Sequence, residues 1–243
     1  MKIKKRLDLL VQEKYPQFTR NQIQSWILQG KVLVDGKVET KAGTQIVQEA
    51  DVLLTVDEPK FVSRAGFKLE HALDHFNVDV KDLVILDAGI STGGFTDCML
   101  QRGAKRIYGI DVGFGQVHEK VLRDSRLVLM EKTNLRNLEQ LPELVDLVTL
   151  DLSFISILKV LPAVVKLLKP SGKIITLIKP QFEAGKENVG KHGLVKSDKV
   201  HQEVIEKIKL GMQEFGFKAV GVIESPILGA SSGNKEFLAL FER

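Results

Sequence analysis

Residues 83–97, LVILDAGISTGGFTD, constrain the fold more than any other stretch of the chain. Leu83-Val84-Ile85-Leu86 is a continuous apolar run, the pattern of a parallel strand covered on both faces. It ends on Asp87, and Gly89, Gly93 and Gly94 follow before Phe95 opens an amphipathic helix that runs to Arg102. Glycines in a strand-to-helix turn let the backbone bend sharply and let a ligand lie against the main chain. Glycines alone fit any βα turn of a doubly wound sheet, so Asp111 carries the distinction. It ends a second strand, Arg106–Ile110, 24 residues after Asp87, where an acid is placed to accept hydrogen bonds from ribose hydroxyls. NAD, FAD and S-adenosylmethionine all offer such a ribose. Ile90 stands where G-x-G-x-x-G needs its second glycine, which argues against a pyrophosphate and toward an adenosyl ligand without one.

The same alternation continues downstream. Ser63–Phe76 reads as a helix that carries Lys68 among apolar neighbours. Strands are expected at Leu127–Met130, Val145–Leu150 and Lys173–Ile178, with a helix over Ile155–Leu168 stopped by Pro170 and Gly172. Ligands in open α/β sheets meet the carboxyl ends of strands, which puts Asp151 and Lys179 at the ligand edge. A lysine directly after a buried strand is poorly explained as a solvated charge. Asn134 follows the third strand, where an adenine edge is often held in such folds. Residues 185–192, GKENVGKH, approach G-x-x-x-x-G-K-[ST], but His192 replaces the magnesium-binding hydroxyl and the flanking elements are wrong. The stretch reads instead as a mobile lysine-rich loop over a substrate. A helix over Asp198–Phe215 and strands around Val220–Glu224 and Glu236–Leu240 close the chain, with a flexible loop at 229–234 bringing Glu236 to the last strand.

The first sixty residues have another rhythm. Leu7, Leu10 and Val11 have helical spacing within Lys5–Tyr15, and Thr19 is an N-cap for a helix over Arg20–Leu28 bearing Ile23, Trp26 and Ile27. Asp35-Gly36 between Lys31–Val34 and Lys37–Glu39 is a two-residue hairpin signal, and a third strand follows at Val52–Val56. Residues 1–41 hold nine Lys or Arg against four acids, a net +5 in a chain of net +4, so the remainder sums to −1. Such asymmetry suggests a polyanion-binding appendage. Asp57-Glu58-Pro59-Lys60 marks the junction and divides the chain into domains at 1–58 and 63–243, with a linker at 59–62. No apolar run approaches a membrane span, and MKIKKRLDLL lacks the core of a signal peptide. One cysteine, Cys98, excludes an internal disulfide and, with scattered histidines, argues against a structural zinc site. A reducing cytoplasm is the expected compartment.

Residues 3–58, through RLDLLVQEKYPQFTRNQIQSWILQGKVLVDGKV, closely resemble the S4 domain, an RNA-binding module. That resemblance implies that Arg6, Arg20, Gln24 and Lys31 lie on the face that meets RNA phosphates, a role of positioning more than base reading. Trp26 is expected in the core. Lys68, Asp151, Lys179 and Glu236, from four separate elements, match in order and context the Lys-Asp-Lys-Glu tetrad of the FtsJ-like 2′-O-methyltransferases. With SRAGFKL, LDAGISTGGFTD, LDLSFIS, IKPQFE and GNKEF, the whole chain resembles the TlyA family of ribosomal RNA methyltransferases, whose members are often labelled hemolysin-like.

The resemblance implies a Rossmann-like sheet of seven mostly parallel strands with an antiparallel last strand. It also implies 2′-O-methylation of cytidine in ribosomal RNA from S-adenosylmethionine. The cofactor would meet Asp87, Gly89, Ser91, Gly93, Gly94, Phe95, Asp111, Asn134 and Asp151. A ribose hydroxyl is a poor nucleophile until its proton is taken, and a lysine serves as base only when its pKa is brought down. Lys179 is assigned as base and Lys68 as second cation, with Asp151 and Glu236 orienting them. No metal is required. The expected partners are ribosomal RNA and ribosomal subunits, not a membrane. A membrane-lytic protein and a non-catalytic RNA binder with a vestigial cofactor fold are the alternatives. The lack of a long apolar segment speaks against the first, and the intact tetrad against the second.

Overall fold

The apolar runs of the second domain pair with one another in a computed structural model that describes residues 3–56, 59–229 and 233–243. Asp57 and Glu58 of the predicted linker, and residues 230–232 of the predicted 229–234 loop, lie outside the described residues. The chain divides into two units, residues 1–59 and 60–243.

In the first unit, strand β1 (Lys4–Arg6) leads directly into helix α1 (Leu7–Lys14), and α2 (Arg20–Leu28) follows. Thr19 caps α2 through a capping box, its hydroxyl accepting from the Gln22 N–H while the Gln22 side chain accepts from the Thr19 N–H. Strands β2 (Val32–Val34) and β3 (Lys37–Val38) form the hairpin, and β2 also pairs with β5 (Val52–Leu54). Asp35 and Gly36 both take positive φ, 47° and 77°, as a two-residue turn between twisted strands requires. The helix expected from Lys5 begins only at Leu7, because Lys4–Arg6 pairs antiparallel with a strand the sequence reading did not contain, β4 (Gln45–Val47). Leu7, Val11, Ile23 and Ile27 are fully buried in this unit's core. Trp26 is half-buried there, edge-on to Phe18 with ring centres 4.8 Å apart.

The second unit is ordered α3 (Ala65–His75), β6 (Val84–Ala88), α4 (Gly94–Gln101), β7 (Arg106–Ile110), α5 (Glu119–Leu122), β8 (Leu127–Met130), β9 (Val145–Leu150), α6 (Leu161–Leu167), β10 (Leu168–Ile178), α7 (Pro180–Glu183), α8 (Asp198–Glu214), β11 (Lys218–Glu224) and β12 (Phe237–Glu242). Its seven-stranded sheet runs β11-β12-β10-β9-β6-β7-β8. The ladders from β10 through β8 are parallel, and β12 is antiparallel to both its neighbours. Successive residues feed opposite faces: Phe237, Ala239 and Phe241 join one core layer, Leu238 and Leu240 the other. Apolar residues of α6 and α8 cover the first layer, and those of α3 and α4 the second. This is a Rossmann-like methyltransferase architecture.

One predicted helix is shorter than expected. Instead of one helix over 155–168, a 3-10 turn at Ile157–Lys159 precedes α6, whose first turn holds Pro162. Proline is tolerated there because its missing N–H has no helical partner to lose, whereas mid-helix it would break the ladder. The next strand is longer than expected, since β10 starts at Leu168 and slips register against β9 around Pro170 and Gly172.

Candidate active site

Strand direction brings the charged residues together. Asp111, Asp151 and Lys179 each follow the carboxyl end of a parallel strand. Glu236 precedes antiparallel β12 and so arrives at that same edge from the other direction. The order switches at β6, which has β7 on one side and β9 on the other, and such a switch opens a crevice at the strand ends.

Two cavities occupy that edge. A cleft of about 580 Å³ is lined by Gly89, Ser91, Asp111, Asn134 and Asp151, with Gly113, Thr133, Arg136 and Lys159. A neighbouring cavity of about 470 Å³ holds all four of Lys68, Asp151, Lys179 and Glu236. Asp151, Ser153 and Phe154 line both, so the exit of β9 is their common wall.

Asp111 is held rigidly at the first cleft. Its Oδ2 accepts from the Ser91 N–H at 2.9 Å and its Oδ1 from the Gly113 N–H at 2.7 Å, which ties the glycine turn to the end of β7. Each carboxylate oxygen keeps a lone pair for a ligand hydroxyl. Gly89 takes φ 84°, and a Cβ there would lie 2.4 Å from the Asp151 carbonyl oxygen, so the two strand exits approach as closely as they do only with glycine. Asn134 accepts from the Arg136 N–H at 3.1 Å.

In the second cavity the tetrad forms two ion pairs. Lys68 Nζ lies 2.5 Å from Glu236 Oε2, and Lys179 Nζ lies 2.6 Å from Asp151 Oδ1 and donates to Ser153 Oγ at 3.0 Å. These four side chains are 4–18% exposed. Pairing each cation with a carboxylate lets two lysines share one small cavity without a net repulsive charge. Phe154 stands at the rim, 91% exposed at φ 65°, with its ring centre 5.0 Å from that of Phe182.

Four residues expected at the cofactor do not line either cavity: Asp87, Gly93, Gly94 and Phe95. They support the turn from behind. A Cβ at Gly94 would lie 2.2 Å from Ser63 Oγ, and Phe95 is buried in the layer under α3 and α4. Asp87 is fully buried and accepts from the Thr96 and Thr149 hydroxyls at 2.6 and 2.7 Å. Burial pushes its carboxyl up to about 6, against the pull of those two hydrogen bonds.

Ser63, Arg64, Ser153, Phe154, Gln181 and Phe182 also line the cavity and were not marked from the sequence. For Ser153, Phe154, Gln181 and Phe182 a signal existed, since each lies within four residues of a strand end already marked as the ligand edge. Of the predicted loop at 185–192 only His192 reaches the cavity, beside Gly193, while Asn234 holds the following segment by accepting from the Val195 N–H and donating to the Gly193 carbonyl, both at 2.8 Å.

In the first unit Arg6, Arg20 and Gln24 converge, all hydrogen-bonded to the buried carboxylate of Asp8. Lys31 is exposed before β2 and takes no part in that cluster.

The sheet order, with Asp111 and the paired lysines at one edge, is that of an α/β transferase. The chain belongs to the TlyA family, in which an S4 domain, matched here over residues 5–52, precedes an FtsJ-like methyltransferase domain, matched over 61–243. It is 38% identical to the 16S/23S rRNA (cytidine-2′-O)-methyltransferase TlyA of Mycobacterium tuberculosis, over 91% of this chain and 84% of that one. It is 40% identical to Hemolysin A of Brachyspira hyodysenteriae, over 97% and 99% of the two chains. A solved structure described as a hemolysin from Streptococcus thermophilus matches with a TM-score of 0.75 at 39% identity, covering 100% of this chain and 90% of that one. Among the described residues, no helix is long and apolar enough to cross a membrane.

Proposed function

We propose that this protein transfers a methyl group from S-adenosylmethionine to the ribose 2′-hydroxyl of a cytidine in ribosomal RNA, with ribosomal subunits as its partner in the cytoplasm. The observation that carries the reading is the shared wall of the two cavities. Asp111 and two lysine–carboxylate pairs face adjoining spaces that meet at Asp151. The first cleft has the volume of a small-ligand site. In it Asp111 would hold the cofactor ribose, Asn134 the adenine edge, and the backbone at Gly89 and Ser91 the remainder. When bound, S-adenosylmethionine supplies a methyl group already activated on a sulfonium, so the protein's task is to place and deprotonate the acceptor.

Lys179 is the group for that task. Its Nζ stands at the common wall, oriented by Asp151 and Ser153, and in its neutral form takes the 2′-hydroxyl proton as the oxygen attacks. Lys68, held by Glu236, donates to the acceptor ribose and keeps its oxygen in line, the kind of placement that supplies much of a methyl transfer's rate. Phe154 and Phe182 at the mouth offer aromatic faces on which an unstacked base can rest. Arg64 adds positive charge, and His192 a ring nitrogen, for the phosphates around it.

Lys179→Ala is expected to lower methyl incorporation into ribosomal subunits by about 10²-fold or more, in the range of lost general-base catalysis, while S-adenosylmethionine affinity by calorimetry stays within about twofold. Turnover comparable to the parent would remove Lys179 from the role of base.

A further inference from the structure

Asp8 has no place in the reaction, yet it is the most heavily bonded carboxylate in the first unit. It is fully buried, at the start of α1. Arg6 donates Nε–H to its Oδ1 and Nη2–H to its Oδ2, both at 3.0 Å. Arg20 donates Nε–H and Nη2–H to Oδ2 at 3.0 and 2.9 Å, and Gln24 adds its Nε2–H at 2.7 Å. The hydrogen bonds from Arg6, helped by those from Gln24 and Arg20, hold the Asp8 carboxyl well below the usual carboxylate range in spite of its burial.

The geometry of these bonds matters more than their number. Both arginines present the same side-on edge, Nε with Nη2, to Asp8. The end-on edge of each guanidinium, Nη1 with the second Nη2 hydrogen, has no partner among the described residues, and the two side chains are 43% and 46% exposed. A guanidinium held by one edge offers the other as a planar pair of donors, the arrangement that grips a phosphate with two parallel hydrogen bonds. Arg20 and Gln24 lie one helical turn apart on α2, and Arg6 comes from the end of β1. Without an anion between them, two guanidiniums this close would repel and spread.

We infer that Asp8 is the positioning residue of an RNA-phosphate clamp, its carboxylate locking Arg6 and Arg20 side-on so that their end-on edges bind neighbouring backbone phosphates. The inference rests on the reading of the first unit as an RNA-binding module. It makes a prediction opposite in sign to charge counting. A basic surface that loses a negative charge attracts RNA more strongly, whereas a clamp that loses its organiser binds less.

The experiment measures binding of the full-length protein to purified ribosomal subunits across a salt series, with thermal unfolding followed alongside. Asp8→Asn is expected to weaken binding about tenfold and to flatten the plot of log affinity against log salt, since each lost phosphate contact removes about 0.7–0.9 from its slope. Binding that is unchanged or tighter in Asp8→Asn overturns the inference. Should Asp8→Asn fail to fold, Arg6→Lys with Arg20→Lys keeps the carboxylate and all the charge but removes the planar fork. A loss of similar size supports the clamp, and parental affinity overturns it. Arg6→Ala with Arg20→Ala separates this inference from its premise. If that double variant binds like the parent, the RNA-binding reading of the unit falls and the clamp with it. If it binds weakly while Asp8→Asn binds tightly, only the role of Asp8 falls.

Discussion

Among the described residues each unit buries one aspartate completely, and the two are treated in opposite ways. Asp8 sits among two guanidiniums and a carboxamide, which keep it ionised far below the usual range. Asp87, under the glycine turn, has only neutral donors, the hydroxyls of Thr96 and Thr149 and the Thr96 backbone, and desolvation lifts it to about 6. Burial is shared, so the partners decide. Full positive charges compensate the lost hydration of a carboxylate, and the pair can orient other cations. Neutral hydroxyls compensate it in part, and the acid becomes a peg that joins β6 to α4 and β9. A buried acid is therefore an electrostatic device in one unit and a structural one in the other.

The contrast can be broken most forcefully at Asp87. Asp87→Ala leaves two buried threonine hydroxyls without their acceptor and is expected to cost about 3 kcal/mol in the free energy of unfolding by denaturant titration. A loss under about 1 kcal/mol would mean that the hydroxyls find other partners.

The pH dependence sharpens the comparison next, because the two acids act with opposite sign. Asp87 is raised from an ordinary value of 3.8 to about 6. Its contribution to stability is complete below the unfolded value and is lost as pH rises through about 6, a change of about 3 kcal/mol at 1.36 kcal/mol for each unit. Asp8 is lowered, so its contribution is present above the ordinary carboxylate range and is lost as pH falls below it. Unfolding titrations at fixed pH between 4 and 7 should show the Asp87 loss in the parent and a flatter profile in Asp87→Asn. Parallel profiles would exclude Asp87 as the titrating group.

The smallest expected effect is at Thr149. Thr149→Val removes one of the hydrogen bonds that hold the Asp87 carboxyl down. It should cost about 1 kcal/mol and move that carboxyl further upward, observable as a later carbon-13 chemical-shift titration of its carboxyl group.

Much of the architecture was legible because local chemistry specified it. The strand at 83–86, the hairpin at Asp35-Gly36 and the cap at Thr19 follow from an unbroken apolar run, a turn conformation and a capping oxygen that neighbouring residues supply. Most of what was not legible concerns a segment whose surroundings a distant segment dictates. Lys4–Arg6 has no alternation to mark it as a strand and becomes one by pairing with Gln45–Val47. Gly94 and Asp87 read as ligand contacts because turn glycines and acids often are. The structure adds that Gly94 has no room for a Cβ beside Ser63, and that Asp87 is bound to threonines nine and 62 positions away. The helix over 155–168 was a local misjudgement, since Pro162 was present to be read.

The sequence by itself determined the class of fold, the edge of the sheet where chemistry is possible and the four charged side chains that gather there. Strand periodicity and the rule that ligands meet strand ends need no coordinates. Tertiary structure decided the pairing: Lys68 with Glu236 across 168 positions, Lys179 with Asp151, and Arg6 and Arg20 with Asp8. A charge's neighbours, unlike its strand, are set by how elements cross in space, and those neighbours decide whether it binds, catalyses or supports.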